Sequence, residues 1–144
     1  MTVARILETK GYLVSTITKN LTLGDAAKLL AEQRIGVLVV TADDGAIEGI
    51  LSERDIVRAV GLHGGAVLSQ DVAKYMTERV MTCTADTSVL DVMEMMTAGR
   101  FRHLPVIRQN RLDGIISITD VVKRRLQEME LDQQAMRNYI NQVA

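Results

Sequence analysis

What this chain of 144 residues has little of narrows its function before any motif does. It has one cysteine, Cys83, which cannot close an intrachain disulfide, so a cytoplasmic location is expected. Aromatics make up 3% (Tyr12, Tyr75, Tyr139 and Phe101, with no Trp), too few for a platform that stacks single-stranded bases. The net charge of -1 leaves no basic surplus, so no nucleic-acid partner is expected. The longest apolar run, around Val37–Val40, is too short to cross a bilayer, so no membrane partner is expected either. Residues 1–20 carry no apolar core of a secretory leader, so none is expected. Two histidines, His63 and His103, and one cysteine are too few and too scattered for a zinc site. No Ser-His-Asp or Cys-His constellation stands out, so no metal, no catalytic cofactor and no enzymatic activity are expected.

What is present is a core-forming composition. Apolar residues are 47%, charged residues 24%, and mean hydropathy is +0.10. That describes a globular chain of one domain, or two very small ones.

The chain also matches itself. At a shift of 66 residues Val14, Thr16, Thr18, Asp25, Arg34, Leu38 and Val40 fall on Val80, Thr82, Thr84, Asp91, Arg100, Leu104 and Val106. After a one-residue deletion in the next turn, Gly49, Ile50, Ser52, Asp55 and Val57 fall on Gly114, Ile115, Ser117, Asp120 and Val122. These twelve identities mark a tandem duplication joined by residues 58–79.

Each copy reads as β-α-β-β-α. Strand-like pieces around Thr16 and Thr82 precede Thr22-x-x-Asp25 and Ser88-x-x-Asp91, a spacing that places a hydroxyl and a carboxylate on the free N–H groups of a helix start. Helices follow, with Ala26, Leu29, Leu30 and Val92, Met95, Met96 at helical spacing. Strands are expected at Gly36–Val40, Ile47–Leu51, His103–Ile107 and Leu112–Ile116, with turns at Ala-Asp-Asp-Gly and Arg-Gln-Asn-Arg. Second helices open at Ser52 and Ser117. In the linker, Gly61–Gly65 reads as a solvated loop and Ser69–Asp71 as the cap of a short helix ending near Met76. A copy of fewer than 60 residues is marginal alone, so the two are expected to share one core about a pseudo-twofold axis. Beyond them, Val122, Leu126, Met129, Gln133, Met136, Ile140 and Val143 are spaced 4, 3, 4, 3, 4, 3, the seam of a packed helix with one polar interruption.

The pattern Gly-apolar-apolar-Ser-x-x-Asp occurs twice, at Gly49–Asp55 and Gly114–Asp120, and Arg102-His103-Leu104-Pro105-Val106 precedes the second. Two such segments, correctly placed in two repeats, resemble a tandem pair of cystathionine β-synthase (CBS) domains. The resemblance covers nearly all of residues 10–126. It implies an α+β fold of two β-α-β-β-α repeats, with domains at residues 10–66 and 75–126 and a C-terminal helical extension over 127–144. It implies a regulatory binding module, whose ligand is an adenine nucleotide or another adenosine compound: AMP, ADP, ATP, NAD(H) or S-adenosylmethionine. Binding between the repeats would shift their placement and signal to a regulated protein. A homodimer is the expected assembly, and a structural dimerisation module without a physiological ligand is the alternative.

Carried over residue by residue, the resemblance implies one site of Thr16, Ile17, Thr18, Ser52, Arg54 and Asp55, and another of Thr82, Cys83, Thr84, Ser117, Thr119 and Asp120. The aspartates would take the ribose hydroxyls and the first strands the adenine. Arg102 and His103, leading into Pro105, would bring positive charge to a phosphate; the first repeat has Gly36 and Val37 there, and Val39 in place of Pro105. The chemistry suits those roles. A carboxylate has two acceptor oxygens for the two donors of a vicinal diol, and a helix start presents free N–H groups to an anion. Ser-x-x-Asp also caps a helix, a role compatible with binding. Gly49 and Gly114 leave room for a close approach or mark a bend in a sheet.

Overall fold

The structure is a computed structural model that describes residues 1–143. The first repeat holds β1 (Thr16–Ile17), α2 (Leu23–Gln33), β2 (Val37–Thr41), β3 (Ile47–Ser52) and α3 (Glu53–His63), preceded by α1 (Val3–Lys10). A 3-10 turn at Gly65–Ser69 and the short α4 (Val72–Tyr75) lead to the second repeat, made of α5 (Val89–Gly99), β4 (His103–Arg108), β5 (Arg111–Ser117) and α6 (Ile118–Val143). The first sheet has the order β1-β2-β3, β1 parallel and β3 antiparallel to β2. In the second repeat the β1 equivalent shrinks to a single parallel bridge between Cys83 and Val106, beside the β4-β5 hairpin.

The caps form as their spacing dictates. Thr22 and Asp25 exchange both bonds of a capping box, and so do Ser52 and Asp55. In α5 the Asp91 N–H donates to Ser88 Oγ at 3.0 Å. Helices α2 and α5 both end on an arginine in the left-handed region, Arg34 at φ 55° and Arg100 at φ 56°. Gln109 and Asn110, at φ 52° and 62°, form the tight β4-β5 turn.

Two expectations fail. Helix α3 continues through Gly61 and Leu62 to His63, so the linker loop begins only at Gly64, whose φ of 85° ends the helix. More consequentially, the repeats do not share one core. One buried cluster joins Ile17, Leu23, Leu38 and Leu51 of the first repeat to Val67 and Val72 of the linker. The other joins Val92, Leu104, Val106 and Ile116 of the second repeat to Val3, Ile6 and Leu7 of α1. Each repeat is therefore completed by the helical segment that precedes the other.

This exchange extends the internal symmetry upstream. Asp71 bridges to Thr22 at the start of α2, and Thr2 bridges to Ser88 at the start of α5. It also explains the two sheet glycines. A Cβ on Gly114 would lie 2.9 Å from Leu7 Cδ2, and one on Gly49 would lie 2.6 Å from Met76 Sδ and 3.0 Å from the Thr77 carbonyl oxygen. The strand opposite each glycine is irregular at the same point, between Val40 and Thr41 and between Val106 and Ile107. Close approach and bend occur together, and the approaching groups are the exchanged segments. Paired backbone bonds between Ile50 and Thr77 (3.0 and 2.9 Å) stitch the linker to β3, and the Leu112 N–H donating to the Gly45 carbonyl at 3.0 Å joins the two repeats.

Candidate functional site in the cleft between the repeats

A cleft of about 500 Å³ lies between the repeats. One wall is the junction of β3 and α3, with Ile50, Ser52, Glu53, Arg54 and Asp55; the facing wall is the lead into β4, with Arg100, Phe101, Arg102 and His103. Thr77 and Arg79 line it from the linker, and Val80 and Met81 from the start of the second repeat.

The sequence builds these walls locally. Ser52 ends β3 and caps α3: the Asp55 N–H donates to Ser52 Oγ at 3.2 Å, and the Ser52 N–H and Oγ donate to Asp55 Oδ2 at 2.8 and 3.0 Å. Both bonds to the carboxylate fall on Oδ2, so among the described residues Asp55 Oδ1 has no protein donor, and a carboxylate oxygen of a half-buried residue is available to a hydroxyl pair. Arginine dominates the cleft's charge. Arg54, Arg79, Arg100 and Arg102 face only Glu53 and Asp55, before His103 is considered. Ile50, Val80, Met81 and Phe101 supply apolar surface. A positive, partly apolar cleft with one uncommitted carboxylate oxygen has the chemistry to hold an anionic compound that also carries hydroxyls and an apolar ring.

The structure thus brings together Ser52, Arg54 and Asp55 of the first repeat with Arg102 and His103 of the second. Arg54 and Arg102 line one cleft, not one each. Thr16 and Thr18 are exposed and lie off its lining. Ile17 and Cys83 turn their side chains into the two cores at 5% exposure. The Cys83 backbone is also engaged, its N–H donating to the Pro105 carbonyl at 3.0 Å and its carbonyl accepting from Ile107 at 2.8 Å. Burial pushes the Cys83 thiol up to about 11. Thr84 is held in a local turn, its N–H donating to Thr87 Oγ1 at 3.1 Å, and Thr82 is half-buried off the cleft. Pro105 is buried in the middle of β4.

The second helix start repeats the cap but not the surroundings. Ser117 donates through its N–H to Asp120 Oδ2 at 2.8 Å, and the Asp120 N–H donates to Ser117 Oγ at 3.2 Å. Here α1 adds a partner: Lys10 Nζ lies 2.6 Å from Asp120 Oδ2. Burial raises the carboxyl, but the Lys10 and Ser117 donors outweigh it and hold Asp120 below the usual carboxylate range. His103 is held below its ordinary value by burial and then by the Lys10 and Arg102 charges, against the opposing pull of Asp120 and Glu53. Thr119 faces away, into an outer groove with Val122 and Leu126.

Sequence reasoning missed Lys10, Arg79, Arg100 and Phe101. Arg100 was legible as the repeat partner of Arg34, but nothing local said that it faces a cleft. Lys10 and Arg79 reach their places only through the exchanged segments.

Comparison with known proteins agrees with this architecture. The CBS domain family profile matches residues 5–62 and 71–127. The chain therefore belongs to the CBS-domain family, as a tandem pair. The CBS domain-containing protein CBSX3, mitochondrial, of Arabidopsis thaliana is 33% identical over 147 residues, which cover 96% of this chain and 71% of that one. A CBS-domain protein of Agrobacterium tumefaciens has a crystal structure that superimposes with a TM-score of 0.83 at 46% identity, covering 87% of this chain and 99% of that one. The CBS domain pair of protein MJ0100, solved in complex with 5-methylthioadenosine and S-adenosyl-L-methionine, is 25% identical with a TM-score of 0.75, covering 85% of this chain and 98% of that one.

Proposed function

We propose that this chain is a regulatory module that binds an adenine nucleotide in the cleft between its repeats and signals by shifting their relative placement. The observation that carries this reading is the juxtaposition of Asp55, with one oxygen uncommitted, and four arginines across a single cleft. Asp55 takes the ribose diol, apolar residues such as Phe101 and Ile50 receive the base, and Arg54 and Arg102 take the phosphate from opposite walls. The adenosine ligands of the MJ0100 pair support the ligand class. The arginines favour AMP, ADP, ATP or NAD(H) over an uncharged adenosine compound. The module acts in the cytoplasm as a homodimer that a regulated protein reads. Binding, not turnover, is its activity.

Because both walls contact one ligand, occupancy couples to the angle between repeats, and each repeat carries the other's exchanged helix with it. A ligand can shift that angle only by its differential affinity for the two placements. A thermal-shift screen with AMP, ADP, ATP, NAD(H), S-adenosylmethionine and adenosine tests the reading. A ligand at a hundred times its Kd stabilises the folded state by about 2.7 kcal/mol. Stabilisation by a phosphorylated ligand is expected. No shift with any of them would leave the structural dimerisation module, which the exposed apolar Val57, Leu62, Val122 and Leu126 favour.

A further inference from the structure

Helix α6 is one continuous element of 26 residues, running from the second repeat well past the family match at residue 127. Its two long faces differ. Val121, the only buried residue of α6, the half-buried Glu128, and Arg124, whose guanidinium donates to the Met1 sulfur, lie on the side facing the second repeat. The opposite side carries Val122, Leu126, Met129, Met136, Ile140 and Val143, all between 46% and 69% exposed. A helix with an apolar stripe in water needs a partner to bury it.

The flanking charges say which partner. On the heptad set by the seam, Leu126, Gln133 and Ile140 are a positions and Val122, Met129, Met136 and Val143 are d positions. Arg125 and Asp132 are then g residues, and Glu130 and Arg137 are e residues. In a parallel pair each g residue faces the e residue of the partner's next heptad. Arg125 then meets the partner's Glu130, and Asp132 meets the partner's Arg137, both opposite in sign. Arg125 lies 3.2 Å from Glu128 on its own helix, a contact that pairing exchanges for the partner's Glu130. An antiparallel pair over the same length sets Glu130 against the partner's Glu130, Asp132 against the partner's Asp132, and Lys123 against the partner's Arg137. All three are repulsive. Gln133 against the partner's Gln133 is a buried polar pair that fixes the register.

We propose that the distal half of α6 pairs in parallel with α6 of a second copy, as a two-stranded coiled coil that holds two CBS pairs at the same end. The inference does not depend on the ligand.

Ile140→Cys in the full-length chain is the test, because parallel pairing brings the two positions 140 together whereas antiparallel pairing sets them far apart. Cys83 is buried and does not compete. Mild oxidation at micromolar concentration should convert most of the protein to a cross-linked dimer. Two charge-reversed forms of this variant follow, Glu130→Arg with Arg137→Glu, and Arg125→Glu with Asp132→Arg. Each alone should cross-link at least tenfold more slowly, with unchanged far-ultraviolet circular dichroism. An equimolar mixture, one partner tagged to differ in mass, should recover the parental rate as the mixed dimer, because the reversed edges complement each other. Absence of the Ile140→Cys cross-link overturns the proposal. So does cross-linking that both charge reversals leave unchanged.

Discussion

Leu7→Ala should destabilise the protein through a repeat to which Leu7 is not adjacent in sequence. Leu7 is fully buried, and it packs over Gly114 inside the second core. Removing its three outer carbons leaves a void between Gly114 and the surrounding apolar side chains. The glycine has no side chain to fill that void, and collapse would need movement of a paired strand. Fully buried Leu→Ala changes cost about 2.7–5 kcal/mol, so about 3 kcal/mol is a fair expectation. With a urea slope of about 2 kcal/mol/M, the unfolding midpoint should fall by about 1.5 M. Leu13→Ala is the internal control. Leu13 lies six residues further on and is 98% exposed, so its truncation should cost less than about 0.5 kcal/mol. Urea titrations of both variants, followed by circular dichroism, decide the matter. If Leu7→Ala unfolds within about 0.5 kcal/mol of the parent, α1 is not docked on the second repeat and the exchange of helices is wrong.

Gly49→Ala should cost about 1–3 kcal/mol, because its Cβ would meet Met76 and the Thr77 carbonyl, whereas Gly61→Ala, with nothing within 4 Å in the last turn of α3, should be neutral or stabilising; thermal melts compare them. Asp55→Ala should weaken AMP binding by about 10- to 150-fold in calorimetry, from the loss of hydrogen bonds to a charged acceptor worth about 1.5–3 kcal/mol; wild-type affinity would refute the ribose assignment. The double variant Arg102→Ala, His103→Ala should lose most of the preference for AMP over adenosine while keeping adenosine affinity, and an unchanged ratio would show that these residues do not read phosphate. Acid should destabilise the fold in two stages. His103 and Asp120 both have folded-state pKa values below their ordinary ones, so each contributes stability that is complete above its unfolded value and lost as pH falls through its folded one. The first loss begins below about pH 6.5 and should vanish in His103→Gln; the second begins below about pH 3.9 and should shrink in Lys10→Ala.

The sequence by itself determined the elements and their duplication, because those rest on local rules. Capping at Thr22, Ser52, Ser88 and Ser117 needs residues three apart, and helix and strand faces follow from a period of 3.6 or 2. The Gly-apolar-apolar-Ser-x-x-Asp segments were legible for the same reason, as was the pairing of Arg102 and His103 at the head of a strand. The seam of α6 was equally plain, and so was its polar interruption at Gln133.

Only the tertiary structure decided which pieces complete one another. Nothing local to Val3, Ile6 and Leu7 says that they belong to a core formed by residues 83–121, because burial is non-directional and any apolar face would serve. The single shared core expected from the small size of each repeat is instead two cores, each closed by a borrowed helix. That exchange sets Lys10 against Asp120 and Arg79 into the cleft, so the two helix starts, which share the Gly-Ile-x-Ser-x-x-Asp pattern, have different surroundings. It also places Arg54 and Arg102 on facing walls of one cleft. Charge acts through space, and spatial distance between distant segments is what a linear pattern does not contain.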